Sequence, residues 1–131
     1  MKGGARVSED REIRVLLIDQ DHAFGPLLNN VLGDGYCLKH ACMDDGVVDL
    51  IERDAVDVVL LNWDDPDPVK HLRELLPAAR GLPIPAPVVA FSWDRAGALD
   101  ALREGAFDFF LLSIYNGELR RKRYGVHPNL L

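Results

Sequence analysis

Cysteine is scarce in this chain: 131 residues contain two, Cys37 and Cys42. They fall on one predicted strand an odd number of residues apart, so their side chains point to opposite faces and cannot easily pair. That excludes the disulfide framework of a small secreted domain and makes a reducing, cytoplasmic compartment the expectation. Long apolar runs are also missing: nothing approaches the roughly 18 residues a membrane helix needs. Met1 to Glu12 lacks the apolar core of a signal peptide, so no membrane partner is expected. His22, His40, His71 and His127 show no zinc spacing with the cysteines. No Ser-His-Asp or Cys-His arrangement can be read from spacing, so no catalytic residue is assigned and no enzyme is expected. Basic residues number 15 against 21 acidic ones, a net charge of −6, which argues against direct nucleic-acid binding. There are no internal repeats and no linker dividing two domains.

What is present is an alternation. Ile13 to Ile18 is an aliphatic run ending at Asp19-Gln20-Asp21, followed by a helical pattern from His22 to Leu32 with Phe24, Leu28 and Val31 among its apolar positions. Gly33-Asp34-Gly35 stops that helix. A short strand from Tyr36 to Ala41 leads to a second helix starting near Asp44 or Asp45, with Val47, Val48, Leu50 and Ile51 apolar. Val56 to Asn62 reads as a buried strand with the polar exit Trp63-Asp64-Asp65-Pro66, and Asp64, Asp65 and Asp67 read as a solvated loop. A helix near Val69 to Leu76 is expected to end before Pro77. The prolines 83, 85 and 87 then favour an extended approach to the strand Val88 to Phe91, ending at Ser92. A helix over Leu99 to Ala106 stopped by Gly105, a strand Phe109 to Leu112 and a short last helix from about Asn116 to Tyr124 complete the pattern.

Five strands alternating with helices imply an α/β fold: a single five-stranded parallel sheet, doubly wound, of flavodoxin-like type. Nearly all-apolar strands fit a sheet buried on both faces. In such sheets the functional crevice lies beyond the carboxyl ends of the strands, near the switch in strand order. Those ends are Asp19-Gln20-Asp21, Asn62, Ser92 and Leu112.

The same segments, in the same order, resemble the response-regulator receiver domain over about Ile13 to Tyr124. Val15 to Asp21 looks like its first strand and acidic cluster, and Val56 to Asn62 with Pro66 like its phosphoacceptor strand and loop. Val88 to Ser92 resembles the strand ending in the switch Ser/Thr, and Ala98 to Phe109 the fourth helix and the approach to strand five. The resemblance implies a pocket of five groups at Asp19, Gln20, Asn62, Ser92 and Leu112. Asn62 stands where the family has the aspartate that takes a phosphoryl group. An amide is no nucleophile for that step, its nitrogen lone pair being delocalised and its oxygen lacking full charge. Gln20 replaces one of two metal-binding carboxylates, so Mg²⁺ binding is expected to be weak or absent, Asp19 and the Asp64 carbonyl being the remaining ligands. Leu112 replaces the lysine that compensates a phosphoryl group, and Ser113 replaces the proline of a cis bond, so a trans bond is expected there. Losing one charge makes the others dispensable, so the three changes are mutually consistent.

The resemblance therefore implies a pseudo-receiver: a phosphorylation-independent module for protein interaction or dimerisation in bacterial signal transduction or transcription regulation. The family's output surface is its fourth helix, fifth strand and fifth helix, which maps to about Gly97 to Tyr124. Its candidate interface residues here are Leu99, Arg103, Phe107, Tyr115, Leu119, Arg120 and Arg121, and Phe109 stands at the switch aromatic and is expected to stay buried. Arg120 to Arg123 read first as the solvated last turn of a helix and second as a contact for an acidic partner or nucleic acid. Two alternatives remain open: a small-molecule sensor with Trp63 and Trp93 as walls of the neutralised pocket, and residual phosphotransfer at Asp64. Expected boundaries are a flexible segment over 1–12, the domain over 13–124 and a tail over 125–131. The tail could begin a linker to a DNA-binding effector domain in a longer protein.

Overall fold

The computed structural model describes residues 11–20 and 24–112. Strand β1 (Ile13–Ile18) leads through residues 19–23 to helix α1 (Phe24–Leu32), and β2 (Tyr36–Ala41) follows. A 3₁₀ turn (Met43–Asp45) precedes α2 (Val47–Asp54), then β3 (Val58–Asn62) and α3 (Pro68–Arg80). Strand β4 (Val88–Ser92), a second 3₁₀ turn (Arg95–Gly97), α4 (Ala98–Arg103) and β5 (Asp108–Leu111) complete the described elements. All strand pairings are parallel, in the order β2-β1-β3-β4-β5. The expected five-stranded doubly wound sheet is the one observed.

Alternation along the strands divides the core in two. Leu16, Ile18, Val59, Leu61, Val88 and Ala90 face one side of the sheet, where they meet Leu50 and Ile51 of α2, Leu72 and Leu75 of α3 and Ala101 of α4. Leu17 and Phe91 face the other side, with Phe24 of α1 and Leu112. Phe91 stacks between Phe24 and Phe110, with ring centroids 4.9 and 5.5 Å apart. Each fully buried aliphatic or aromatic side chain contributes about 2 kcal/mol by its removal from water. Val15 to Ile18 of β1 and Val59 and Leu61 of β3 are buried, so the polar ends of both strands are held by the best-packed part of the molecule.

Several local expectations are corrected. Helix α3 runs on through Pro77 to Arg80, four residues beyond the expected stop at Leu76. A proline there forfeits one helical hydrogen bond at a cost of about 3 kcal/mol. Burial of Ala78 and Ala79 and the bond from Gly81 N–H to the Pro77 carbonyl at 3.0 Å hold the last turn despite it. Helix α4 ends at Arg103, and Gly105, at φ 111°, turns the chain where a side chain would press on Leu76. Strand β5 begins and ends one residue earlier than expected. Val31, counted on the apolar face of α1, is 76% exposed, and Val48 is also exposed. Arg11, assigned to the flexible segment, is tied to the domain through Asp57. Residues 1–10 of that segment, the last helix and the tail lie outside the described residues.

At the amino-terminal edge of the sheet Asp57 fastens β3 to β1. Its own N–H donates to the Arg14 carbonyl at 2.8 Å, and its carboxylate accepts the Arg14 N–H at 2.8 Å and both ends of the Arg11 guanidinium at 2.8 and 3.1 Å. Partial burial pushes the Asp57 carboxyl up, but the Arg11 guanidinium and the Arg14 N–H outweigh it and hold the pKa below the ordinary value. A depressed folded-state pKa contributes stability above the unfolded value and loses it as pH falls through the folded one. Asp57→Asn is expected to lower the urea midpoint at pH 7, with the gap to wild type closing below about pH 4, near the unfolded carboxyl value. A gap unchanged at pH 3 would assign the loss to packing.

Candidate functional site

Strands β1 and β3 are neighbours although β2 lies between them in sequence, so the chain order switches at their carboxyl ends and leaves a crevice there. Each strand delivers one polar residue at that end: Asp19 after β1, Asn62 closing β3 and Ser92 closing β4. Asp19 and Asn62 are 0% exposed and Ser92 is buried beside them. Buried polar groups of this kind must find partners within the protein.

Asn62 uses both ends of its amide. Its Nδ2 donates to Asp19 Oδ1 at 2.9 Å, and its Oδ1 accepts the Asp64 N–H at 2.8 Å. The reverse orientation would set oxygen against carboxylate and N–H against N–H, so the surroundings dictate this one. A carboxylate at the same position could not donate to Asp19, and would place two negative charges within hydrogen-bond distance in a buried site.

The bond to Asp64 starts a second series of contacts. Asp64 Oδ1 accepts the Ser92 hydroxyl at 2.5 Å and Oδ2 accepts the Trp93 N–H at 3.0 Å. Ser92 Oγ in turn accepts the Asp94 N–H at 2.8 Å, and Asp94 Oδ1 accepts the Ala96 N–H at 3.0 Å. Nearby, buried Asp65 accepts the Gln20 N–H at 3.0 Å, joining the loop after β3 to the end of β1. The acidic run, expected as a solvated loop, is thus a structural part of the site at Asp64 and Asp65. The sequence signals only the first of these contacts, since a strand-ending asparagine can accept the N–H two residues on in an Asx turn whatever residue stands there.

Of the five pocket positions, the structure brings Asp19, Asn62 and Ser92 into this network. Gln20 joins through its main chain and is otherwise exposed. Leu112 donates its N–H to the Ser92 carbonyl at 2.8 Å while its side chain packs with Leu17, Phe24 and Phe91. Trp63, considered as a pocket wall, is turned into the main core with 9% exposure and lies against Gly97. The crevice therefore has a single flanking indole, Trp93, and its side chains bond to one another. Phe109 is half-buried and packs against the main core, while Leu99, Arg103 and Phe107 are exposed. Tyr115, Leu119, Arg120 and Arg121, like the Leu112–Ser113 bond, lie outside the described residues.

Two further groups border Asp19. His40 Nε2 lies 2.6 Å from its carbonyl oxygen and the Cys42 thiol 3.7 Å from it. Burial pushes the Cys42 thiol above its ordinary pKa, and the carboxylates of Asp45, Asp65, Asp19 and Asp44 push it the same way, so it stays protonated and unreactive at neutral pH. The residues present do not suit Mg²⁺, which takes carboxylate and other oxygen ligands. Asp19 Oδ1 faces an N–H donor, Gln20 carries no charge, and both Asp64 oxygens serve the β4 exit. Among the described residues no three His, Cys, Asp or Glu side chains converge in a metal-binding group.

No protein-family model matches the chain, and no curated protein sequence does. Solved structures do match. The response regulator domain of Thermotoga maritima CheB is 21% identical, with 90% of this chain and 100% of that chain covered at a TM-score of 0.59. A response regulator receiver protein from Burkholderia phymatum is 20% identical, covering 88% of this chain and 98% of that one at 0.61. NtrX from Brucella abortus, solved in complex with ADP, is 26% identical over 83% of this chain at 0.64, and the match spans 24% of that longer chain. The fold is that of response-regulator receiver domains.

Replacing the amide tests the site directly. Asn62→Asp is expected to destabilise the protein by about 3 kcal/mol at neutral pH, the scale of a buried charge without a partner. The loss should shrink in acid, where one of the two carboxyls takes a proton. Urea denaturation at pH 7 and pH 4.5 reads both effects, and equal stability at pH 7 would contradict the assigned contact.

Proposed function

We propose that this chain is a receiver-fold module of signal transduction that works without being phosphorylated, through contact with a protein partner or a second copy of itself. The observation that carries this reading is the Asn62 amide. It occupies the position where the resembling family has its acceptor carboxylate, and both its polar atoms are already committed, to Asp19 and to the Asp64 main chain. Leu112 adds to it, because its side chain lies in an apolar cluster and supplies no cation to a transferred phosphoryl group. Residual transfer to Asp64 would have to break the contacts with Ser92 and Trp93 that consume both of its oxygens.

The contact surface in this proposal is the face of α4 and β5. Leu99 is 56% and Phe107 74% exposed, with Leu102 and Arg103 exposed between them. Apolar side chains gathered on one face, with a cation at the rim, have the composition of a protein interface. No helix among the described residues is long and apolar enough to cross a membrane. A DNA-binding effector domain on a longer chain would be one recipient of the signal.

Two measurements bear on this. Incubation with Mg²⁺ and a small phosphodonor is expected to leave the intact mass of the wild type unchanged, and that of folded Asn62→Asp as well, because Gln20 and Leu112 remain. Stoichiometric phosphorylation of the wild type would overturn the reading, and labelling of the variant would restore phosphotransfer as a latent property of the pocket. If self-association is the output, Phe107→Asp is expected to shift a dimer to monomer in sedimentation analysis with no change in secondary structure.

A further inference from the structure

The segment leaving β4 is anchored by a negative charge that the protein itself supplies. Ser92 and Trp93 are consecutive residues, and the hydroxyl of the first and the N–H of the second converge on one carboxylate, that of Asp64, at 2.5 and 3.0 Å. Two adjacent donors, each holding one oxygen of the same carboxylate, form a fork for an oxyanion. Asn62 aims the anion into it, because its Oδ1 holds the Asp64 N–H and fixes the turn from which the carboxylate projects. On the far side the order is passed along. Ser92 Oγ holds the Asp94 N–H, and Asp94 Oδ1 holds the Ala96 N–H at the start of the 3₁₀ turn. Gly97 then lies against the Trp63 indole so closely that any side chain there would collide with the ring. Helix α4, which carries exposed Leu99, begins at the next residue.

We propose that Asp64 is the resident anion of this site: its carboxylate fills in cis the fork where a small external oxyanion would otherwise be held, and keeps residues 92–97, with α4 behind them, in one arrangement without an incoming signal. This deepens the phosphorylation-independent reading and rests on it. A tethered carboxylate acts at high effective concentration, so free phosphate or acetate cannot compete with it in the intact protein. The site is thereby closed to external anions by occupation, and the uncharged Asn62 leaves room for that occupation without charge repulsion.

Residue-resolved amide hydrogen exchange on the full chain tests this in wild type, Asp64→Ala and Asp64→Asn. In both variants the Trp93, Asp94 and Ala96 amides are expected to exchange at least about tenfold faster, the scale of losing a bond to a charged acceptor. The amides of Leu17 and Leu60 in the central strands should keep their rates. Acetate or inorganic phosphate added to Asp64→Ala is expected to restore protection at Trp93 and to leave the wild type unchanged. Unaltered exchange at Trp93 and Asp94 in the variants overturns the proposal, and so does failure of both anions to restore protection in a folded Asp64→Ala. Should Asp64→Ala lose its fold as a whole, Asp64→Asn decides, since its amide keeps the shape while turning N–H toward one of the two donors. Phosphorylation in the mass experiment would sink the functional reading without altering these rates, whereas unaltered rates would sink the resident anion alone.

Discussion

The hydrogen bond from the Asn62 amide to the Asp19 carboxylate joins the ends of β1 and β3 at the place where the chain order of the sheet reverses. Both residues are fully buried, so the bond forms in a low-dielectric setting where an unmatched polar group would be costly. One carboxylate in that corner is tolerable because its neighbour is a neutral donor. A second carboxylate would need a cation, and the position from which a lysine could reach holds Leu112, turned into the apolar cluster around Phe24 and Phe91. Asn62 and Leu112 together leave that corner with one carboxylate and no cation.

A second carboxylate lies just outside this corner. Asp64, two residues past the strand, stands outside the buried corner and takes up the donors of Ser92 and Trp93. At the opposite edge of the sheet Asp57 does comparable work on the same two central strands, accepting from the Arg14 main chain and the Arg11 side chain. Carboxylates thus close β3 at both ends, one by holding arginine and main-chain donors, the other by holding the exit of β4. The apolar middle of the strand, Val59 to Leu61, has only to pack.

Much of the fold was legible in the sequence, because strand and helix periods are local. The bounds of β1 follow from its aliphatic run, and the turn at Gly33 to Gly35 from its glycines. Where neighbours distant in sequence decide the outcome, the reading fell short. Pro77 by its own chemistry stops a helix, yet burial of Ala78 and Ala79 carries α3 past it. Val31 has the spacing of a core residue but faces outward. Trp63 followed a strand end and could have faced the crevice, but an unobstructed Gly97 offers its ring a seat in the core.

The site divides the same way. The amino-acid sequence by itself determined which groups reach the carboxyl ends of the strands, because strand order and strand length place Asp19, Asn62, Ser92 and Leu112 there. It also determined that Asn62 brings an uncharged amide to that corner, a property of the residue type alone. Only the tertiary structure decided the fate of Asp64 and Asp65, which as a sequence are an ordinary acidic loop. Hydrogen-bond direction needs three-dimensional proximity: Ser92 lies 28 positions from Asp64 and Gln20 lies 45 from Asp65. Composition and periodicity carry no record of such pairings, and they settle which charges in this molecule face water and which hold it together.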